Sequence, residues 1–434
     1  MRDLVLASQY KNAEIIFATQ ELEGNINHKI IEAGYNIEIL PSNDLKSLAL
    51  VIEKYDVDMI VIDHYQIDYE FEKQLKNSYP HLKIMVFDDT YEKHYCDILL
   101  NHNIFAQSQR YKNLVPPHCE IRCGEKYTLL RDEFYQVKQL QKTKNEKFTL
   151  FLAMGGSDSQ NLNIPILEVL KHFHNICINI ITTTANKHLY QLQEYVQDKP
   201  NITLHINSNK VASLMYQSDF GILTPSVSVN EAYFLKVPFV AIQTEPNQKE
   251  VCNYLKQHNF IVLEQFNPTI LTKKVQLIID IIQSQLIPFQ KLSLDEKKMI
   301  LQWRNTPSIS KWMYNKNIIS LQEHLQYIES LDTKKDRVYF LVKKDDMPIG
   351  VVDLTQIKPQ ISAELGIYLN PNLKGYGKLL MHKIISYAFE TLQLKTIYAN
   401  VYKSNQKAIK LYEKFHFITQ KTDEDFLYME LNNQ

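Results

Sequence analysis

Glycine is scarce in this chain: ten among 434 residues, against an ordinary usage of about 7%. Scarce glycine is kept for places where no side chain fits. The two tightest clusters are Gly155-Gly156 and Gly375-Tyr376-Gly377, and each stands between an apolar run and a helical pattern. A strand–loop–helix turn of that kind points backbone N–H groups at a phosphate. In the first cluster, Phe148–Met154 leads into Gly155, Gly156, Ser157 and Asp158, and a helical pattern follows over 161–171. The backbone amides and the Ser157 hydroxyl can donate to a diphosphate; a tight turn without a ligand is the competing reading. A second strand–loop–helix signal is Thr224-Pro-Ser-Val-Ser-Val-Asn230-Glu231. There Glu231 either complements the helix dipole or accepts both hydroxyls of a ribose. Gln243-Thr-Glu-Pro-Asn247-Gln248 follows the next strand and offers two amides to the same place, with helix capping as the alternative.

These residues need a frame that brings them together. From residue 13 to about 266, short apolar runs alternate with amphipathic stretches: Ala13–Thr19, Val57–Asp63, Lys83–Asp88, Phe148–Met154, Ile176–Thr183, Phe220–Leu223 and Phe239–Gln243. Runs that are apolar throughout fit parallel strands covered on both faces. Repeated β–α units predict a doubly wound α/β fold. Two Rossmann-like lobes are expected, 1–126 and 148–287, joined by a charged helical linker over 127–147 that ends in QKTKNEK. Ligands of open α/β sheets bind beyond the carboxyl ends of the strands, so the expected site is the cleft of a two-lobed, glycosyltransferase-like architecture. A boundary falls near 284–293, and 294–434 reads as one α+β domain: two helices, a hairpin, a strand, the Gly375 loop, a helix, a strand, a helix and a closing strand.

Composition narrows the class. The apolar share is 45%, the charged share 22% and the formal net charge −1. No global basic field for nucleic acid exists, and no apolar run reaches the ~18 residues that span a bilayer. The start lacks a basic-then-apolar signal layout. Five scattered cysteines predict reduced thiols in a cytoplasmic protein rather than disulfides or a metal cage; Cys119 and Cys123 have no second pair to complete a metal site. No metal is expected, and the oligomeric state is open.

The first half resembles the UDP-sugar hydrolases of pseudaminic acid biosynthesis. The residues that carry this are RDLVLA at Arg2–Ala7, DHY at Asp63–Tyr65, FDD at Phe87–Asp89, CDILLN at Cys96–Asn101 and CGxxYxLLRxEFY from Cys123 to Tyr135, with MGGSD at 154–158, VNEA at 229–232 and NQ at 247–248. The resemblance implies metal-free, inverting attack of water on the anomeric carbon of UDP-2,4-diacetamido-2,4,6-trideoxy-β-L-altropyranose, with release of UDP. It implies that Tyr65 and Asn247 border the sugar and the water, and that Gly156, Ser157 and Glu231 hold UDP. Family members open with a strand and a glycine-rich loop ending in a histidine, the expected general base. This sequence opens at the following helix, so a first-lobe sheet without one central strand and a severely slowed hydrolysis are expected. His28 and His64 are the nearest other imidazoles, and neither is assigned the role.

The second half resembles the acetyl-CoA-dependent GNAT N-acetyltransferases. Asn372-Leu-Lys-Gly375-Tyr-Gly377 stands at the phosphate loop, and Asn405-x-x-Ala-x-x-x-Tyr412-x-Lys-x-x-Phe417 follows downstream. The resemblance implies that backbone amides around Lys374, Gly375, Gly377 and Lys378 hold the pyrophosphate. Asn405 would position pantetheine, and Tyr412 would protonate the leaving thiolate. Lys374 and Lys378 either add charge or stay solvated. The segments LQWRN at 301–305, KWMYN at 311–315 and ISLQEH at 319–324 resemble the acetyltransferase of the same pathway. That implies 4-N-acetylation of UDP-4-amino-4,6-dideoxy-N-acetyl-β-L-altrosamine, with Arg304, Met313, Tyr314 and His324 lining the UDP-sugar pocket. Glu364, on the expected central strand, can relay the amine proton through water; Trp303 and Trp312 also read as helix packing. The expected function is therefore bifunctional, for a sugar destined for flagellin or surface glycans. Two alternatives stay open: a glycosyltransferase fused to an acetyltransferase, and a UDP-sugar-binding half without catalysis that feeds the acetyltransferase.

Overall fold

The computed structural model describes residues 2–22, 25–142 and 147–433. Residues 143–146 of the expected linker lie outside the described residues. Two compact units form: Met1–Pro165 with Phe173–Tyr254, and Ile166–His172 with Leu255–Gln434.

The first unit carries the repeated β–α pattern. In its first lobe, β1 (Ile16–Thr19) and β2 (Asn36–Ile39) pair in parallel. A separate parallel sheet joins β3 (Met59–Ile62), β4 (Lys83–Phe87), β5 (Ile98–Asn101) and β6 (Glu120–Cys123) in that order. β4 shows why it is central. Ile84 and Val86 pack with Leu48, Leu75 and Leu99 on one face, and Met85 and Phe87 pack with Leu6 and Leu100 on the other. Among the described residues no strand joins β1–β2 to β3–β6. Val61 of β3 keeps 40% of its surface exposed, unusual for a strand of an inner parallel sheet.

The second lobe orders β7 (Phe148–Ala153), β8 (Ile176–Thr182), β9 (Ile202–Ile206), β10 (Phe220–Leu223) and β11 (Phe239–Ile242) as β11-β10-β7-β8-β9, all parallel. β10 and β11 are buried along their whole length. The expected linker helix over 127–147 is shorter than its charge pattern suggests. Among the described residues of that range, Asp132–Lys138 is α-helical, with Phe134 and Val137 as its buried residues.

The second unit contains the short strand β12 (Ile261–Leu263) and a seven-stranded sheet. That sheet orders β13 (Ser284–Pro288), β14 (Val338–Lys344), β15 (Met347–Lys358), β16 (Ser362–Leu369), β17 (Thr396–Tyr402), β19 (Phe426–Asn432) and β18 (Ile418–Thr422). The structure differs from the sequence reading at Ser284–Pro288. That stretch reads as a boundary, yet it pairs antiparallel with β14 as an edge strand, a position that tolerates its terminal proline. Helices cover both faces. Gly377–Ser386 and Gln406–Glu413 pack on the face of Val342, Val352 and Leu365, and Leu294–Asn305 and Leu321–Ser330 pack on the face of Leu341 and Val351.

Candidate functional sites

In the second unit the site begins where two parallel strands part. β16 and β17 pair only from Ser362–Glu364 to Thr396–Tyr398, and the rest of β16 runs on without β17. The chain leaves β16 through Asn370–Tyr376 and enters the helix Gly377–Ser386. Gly375 takes φ +90°, which side chains rarely adopt, and at Gly377 a Cβ would lie 3.2 Å from Leu411. Gly375 is thus explained by its backbone conformation and Gly377 by the close Leu411 side chain, and the helix begins directly after this loop, an arrangement suited to a phosphate. Lys374 and Lys378 are exposed beside it. Asn405 caps the helix Gln406–Glu413, its Oδ1 accepting from Ala408 N at 3.3 Å. That helix buries Tyr412 to 6% exposure. Burial, with the charges of Asp353 and Glu364, pushes its phenol up, so it stays protonated near neutral pH.

Glu364 is the meeting point. Its carboxylate accepts from Tyr314 Oη at 2.5 Å and from Gln356 Nε2 at 2.6 Å. Tyr314 Oη accepts in turn from Asn400 Nδ2 at 2.9 Å. Tyr314 and Glu364 were legible as candidates; Gln356 and Asn400 were not. Gln356 is aimed by a β-bulge: the β15–β16 register shifts after Thr355, and Gln356 takes φ +50°. Arg304 sits behind the loop that presents Tyr314. Its guanidinium donates to the carbonyls of Asn315 and, at 2.5 Å, Asn317. Neighbouring Asn305 exchanges two bonds with Ile319, at 2.8 and 3.0 Å. Met313 packs against the cluster of Ile300, Trp303 and Ile309. His324 keeps Nε2 buried without a partner among the described residues, and burial lowers its pKa. Trp312 lies against Tyr402, ring centroids 6.1 Å apart.

In the first unit, Gly156 is fixed by close approach. Its carbonyl accepts from Thr183 Oγ1 at 2.9 Å and Thr182 Oγ1 at 3.2 Å, and a Cβ there would meet Thr183 at 3.0 Å. Gly155 takes φ +81° and Ser157 is exposed. Asp158 ties the loop to the next helix by accepting from Leu162 N and Asn163 N at 2.8 and 3.1 Å. Glu231 is 7% exposed on the helix Val227–Leu235. Burial raises its pKa to about 7 against the opposing charge of Arg131, whose Nη2 lies 3.4 Å away. A cleft of about 550 Å³ opens beside this helix, lined by Ile104, Thr128, Tyr135, Asn230 and Tyr233. Gln248 is spent on the loop, accepting from Thr244 N and donating to Thr224 Oγ1 at 2.8 and 3.0 Å. Asn247 is left exposed.

At the carboxyl ends of β3 and β4, Arg2 donates to Asp63 at 2.8 Å and to Asp89 at 3.1 Å. Tyr65 Oη donates to Asp89 at 3.1 Å. The DHY and FDD motifs therefore meet through one arginine. His64 accepts from Gln66 N through Nδ1 at 3.2 Å. His102, just past β5, is buried with Nδ1 unpartnered among the described residues, and burial lowers it to about 4. Among the described residues no group of three or more His, Cys, Asp or Glu is placed to hold a metal, and no helix is long and apolar enough to cross a membrane.

The family model of the acetyltransferase (GNAT) domain matches residues 286–418. Over 261 residues, 60% of this chain and 92% of the relative, the sequence is 38% identical to a UDP-2,4-diacetamido-2,4,6-trideoxy-β-L-altropyranose hydrolase of Campylobacter jejuni. Over 141 residues, 32% of this chain and 88% of the relative, it is 43% identical to the acetyltransferase PseH of Campylobacter jejuni. The crystal structure of that organism's PseH with acetyl coenzyme A matches at 40% identity, covering 35% of this chain and 99% of that one, with a TM-score of 0.30.

Proposed function

We propose a two-step activity for a chain that belongs to two families at once, the UDP-2,4-diacetamido-2,4,6-trideoxy-β-L-altropyranose hydrolases through its first part and the PseH acetyltransferases through its last. It is a bifunctional enzyme of the pseudaminic acid pathway. The second unit transfers acetyl from acetyl-CoA to the 4-amino group of UDP-4-amino-4,6-dideoxy-N-acetyl-β-L-altrosamine. The first unit then hydrolyses the diacetamido product to free sugar and UDP. The reading places both steps in the cytoplasm, on UDP-sugars, without metal.

The observation that carries it is the Tyr314–Glu364–Asn400 cluster. It gathers an acid–base carboxylate and two residues able to orient an acceptor at the place where β16 and β17 part. Backbone amides of 374–378 would hold the pyrophosphate, with Asn405 guiding the pantetheine arm. The acceptor nitrogen attacks the thioester carbon, the C–S bond breaks, and Tyr412 gives its proton to sulfur. Arg304 holds the loop of Tyr314, and Met313 and His324 flank it on the UDP-sugar side. In the first unit, Gly155, Gly156 and Ser157 would meet the diphosphate and Glu231 the ribose. Tyr65 and Asn247 would border the anomeric carbon and its water, with Asp89 orienting Tyr65.

The test follows thiol release from acetyl-CoA by the full chain with the 4-amino sugar, and UDP release with the diacetamido sugar. Sugar-dependent thiol release supports the reading. UDP release that requires an added acceptor alcohol would replace hydrolysis by glycosyl transfer.

A further inference from the structure

We propose that Asp353 is a positioning residue that pairs with Glu364 to hold the proton taken from the acceptor amine. The inference rests on the acetyltransferase reading of this site. Asp353 lies in the middle of β15, in the run Val351-Val352-Asp353-Leu354. Val352 and Leu354 point into the core under the Gly377 helix, so alternation turns Asp353 to the opposite face. Glu364, Gly366 and Tyr368 share that face on β16. Asp353 stands in register with Gly366, and Glu364 one diagonal step away opposite Thr355.

Gly366 makes room for the acid. A Cβ built on it would come within 2.3 to 2.6 Å of the Asp353 carboxyl atoms, so the carboxyl lies directly over that glycine. No hydrogen-bond donor reaches the Asp353 carboxylate among the described residues, whereas Glu364 accepts from both Tyr314 and Gln356. Two neighbouring carboxyls thus stand in unlike surroundings, one held by two donors and the other by none, the arrangement in which paired acids divide their roles. Burial, then the charge of Glu364, raises Asp353 to about 7.

The groups facing Asp353 leave this pairing intact. Tyr339 of β14, Tyr368 of β16 and Tyr412 of the helix Gln406–Glu413 all have phenols pushed up by burial and by the Asp353 charge. Tyr327 donates to Tyr339 Oη at 3.0 Å. The nearby cations are committed elsewhere: Arg304 to carbonyls of its own loop, Arg337 to Asp336 at 2.6 Å and to Tyr327.

The proton balance assigns a role to each acid. An ammonium acceptor loses two protons on becoming an amide. The first passes to the Glu364–Asp353 pair and frees the nitrogen lone pair. The second leaves as the N–C bond forms and the C–S bond breaks, replacing the proton that Tyr412 gives to sulfur. The pair then returns its proton to solvent.

The experiment measures kcat/KM for acetyl transfer against pH with the full chain, alongside infrared titration of carboxyl protonation. Asp353→Asn should lower kcat/KM ten- to a hundredfold near neutral pH and abolish a neutral-carboxyl band that titrates near pH 7. Glu364→Gln removes the neighbouring charge and should move that band's titration to lower pH; the free substrate amine cannot respond to this change. Superimposable pH profiles and bands for wild type and Asp353→Asn would overturn the proposal. If Asp353→Asn does not fold, an unmoved band in Glu364→Gln overturns it instead. Failure of the acetyltransferase reading looks different: the wild type would release no thiol with the amino sugar, while the band and its shift in Glu364→Gln would remain.

Discussion

Tyr412 and His94 are each held in a definite protonation state by their surroundings, Glu231 is poised to change its own near neutral pH, and each has a measurable consequence. Tyr412 is kept protonated by burial, as an acid aimed at a thiolate must be. Tyr412→Phe should lower kcat for thiol release by roughly ten- to a hundredfold, the low end of what one acid–base group supplies. Unchanged kcat would remove it from the chemistry. Glu231 titrates at about 7 in the free protein, and only its ionised form can accept two ribose hydroxyls. UDP affinity should therefore climb as pH rises through that value. Glu231→Ala should cost about 1–3 kcal/mol of binding, the usual loss of a charged hydrogen-bond partner. Titration calorimetry with a flat pH dependence and equal affinities would contradict the ribose assignment. His94 is different, because its task is structural. Burial opposes its charge, but Asp88 and Glu72 outweigh burial and raise it to about 9. Glu72 is fully buried and lies 2.7 Å from the ring. The folded pKa lies above the unfolded value of about 6.5. This stabilisation is complete below pH 6.5 and is lost as pH rises through about 9. Removing the imidazole leaves the buried Glu72 charge without its counter-ion, held by Tyr95 N, while Asp88 keeps its donors from Thr90, Tyr91 and Tyr111; His94→Ala should therefore cost about 3–5 kcal/mol, read from urea melts.

At the level of elements, the legible strands are those that stand out as apolar runs, whether buried throughout, as Phe220–Leu223, or on alternate residues, as Ile176–Thr182. Phe220–Leu223 matches its apolar run, and Lys83–Phe87 matches to within one residue. Ile98–Asn101 lies inside the CDILLN motif and Glu120–Cys123 touches a motif only at Cys123; neither is read as a strand from the sequence, and in Glu120–Cys123 charged residues alternate with Ile121 and Cys123. Ile418–Thr422 escaped for another reason. It is an edge strand exposed at every position, so no buried face imposes a pattern on it. The site shows the same division. Gly375, Gly377, Tyr412 and Glu231 stand out by residue type and local spacing. Gln356 and Asp353 do not, because a register shift and a cross-strand glycine place them, and neither is visible along one strand. The divided first-lobe sheet also predicts uneven stability. β1 and β2 form a pair of strands without further neighbours among the described residues, and their amides should exchange with solvent far faster than those of β7 and β10, which are paired on both sides. Equal protection in a hydrogen-exchange experiment would contradict the division.

Across the whole molecule, the account makes each unit responsible for one reaction on the same sugar, the product of the second unit being the substrate of the first. Linking the two raises the local concentration of the intermediate without any new contact. The most direct measurement follows both reactions in one preparation of the full chain. Thiol release is read with acetyl-CoA and the 4-amino UDP-sugar, and UDP release with the diacetamido UDP-sugar, for wild type, Tyr412→Phe and Glu231→Ala. The account predicts that Tyr412→Phe cuts thiol release and leaves UDP release at the wild-type rate, while Glu231→Ala does the reverse. Either substitution depressing both reactions equally, or thiol release that does not depend on the amino sugar, would contradict it.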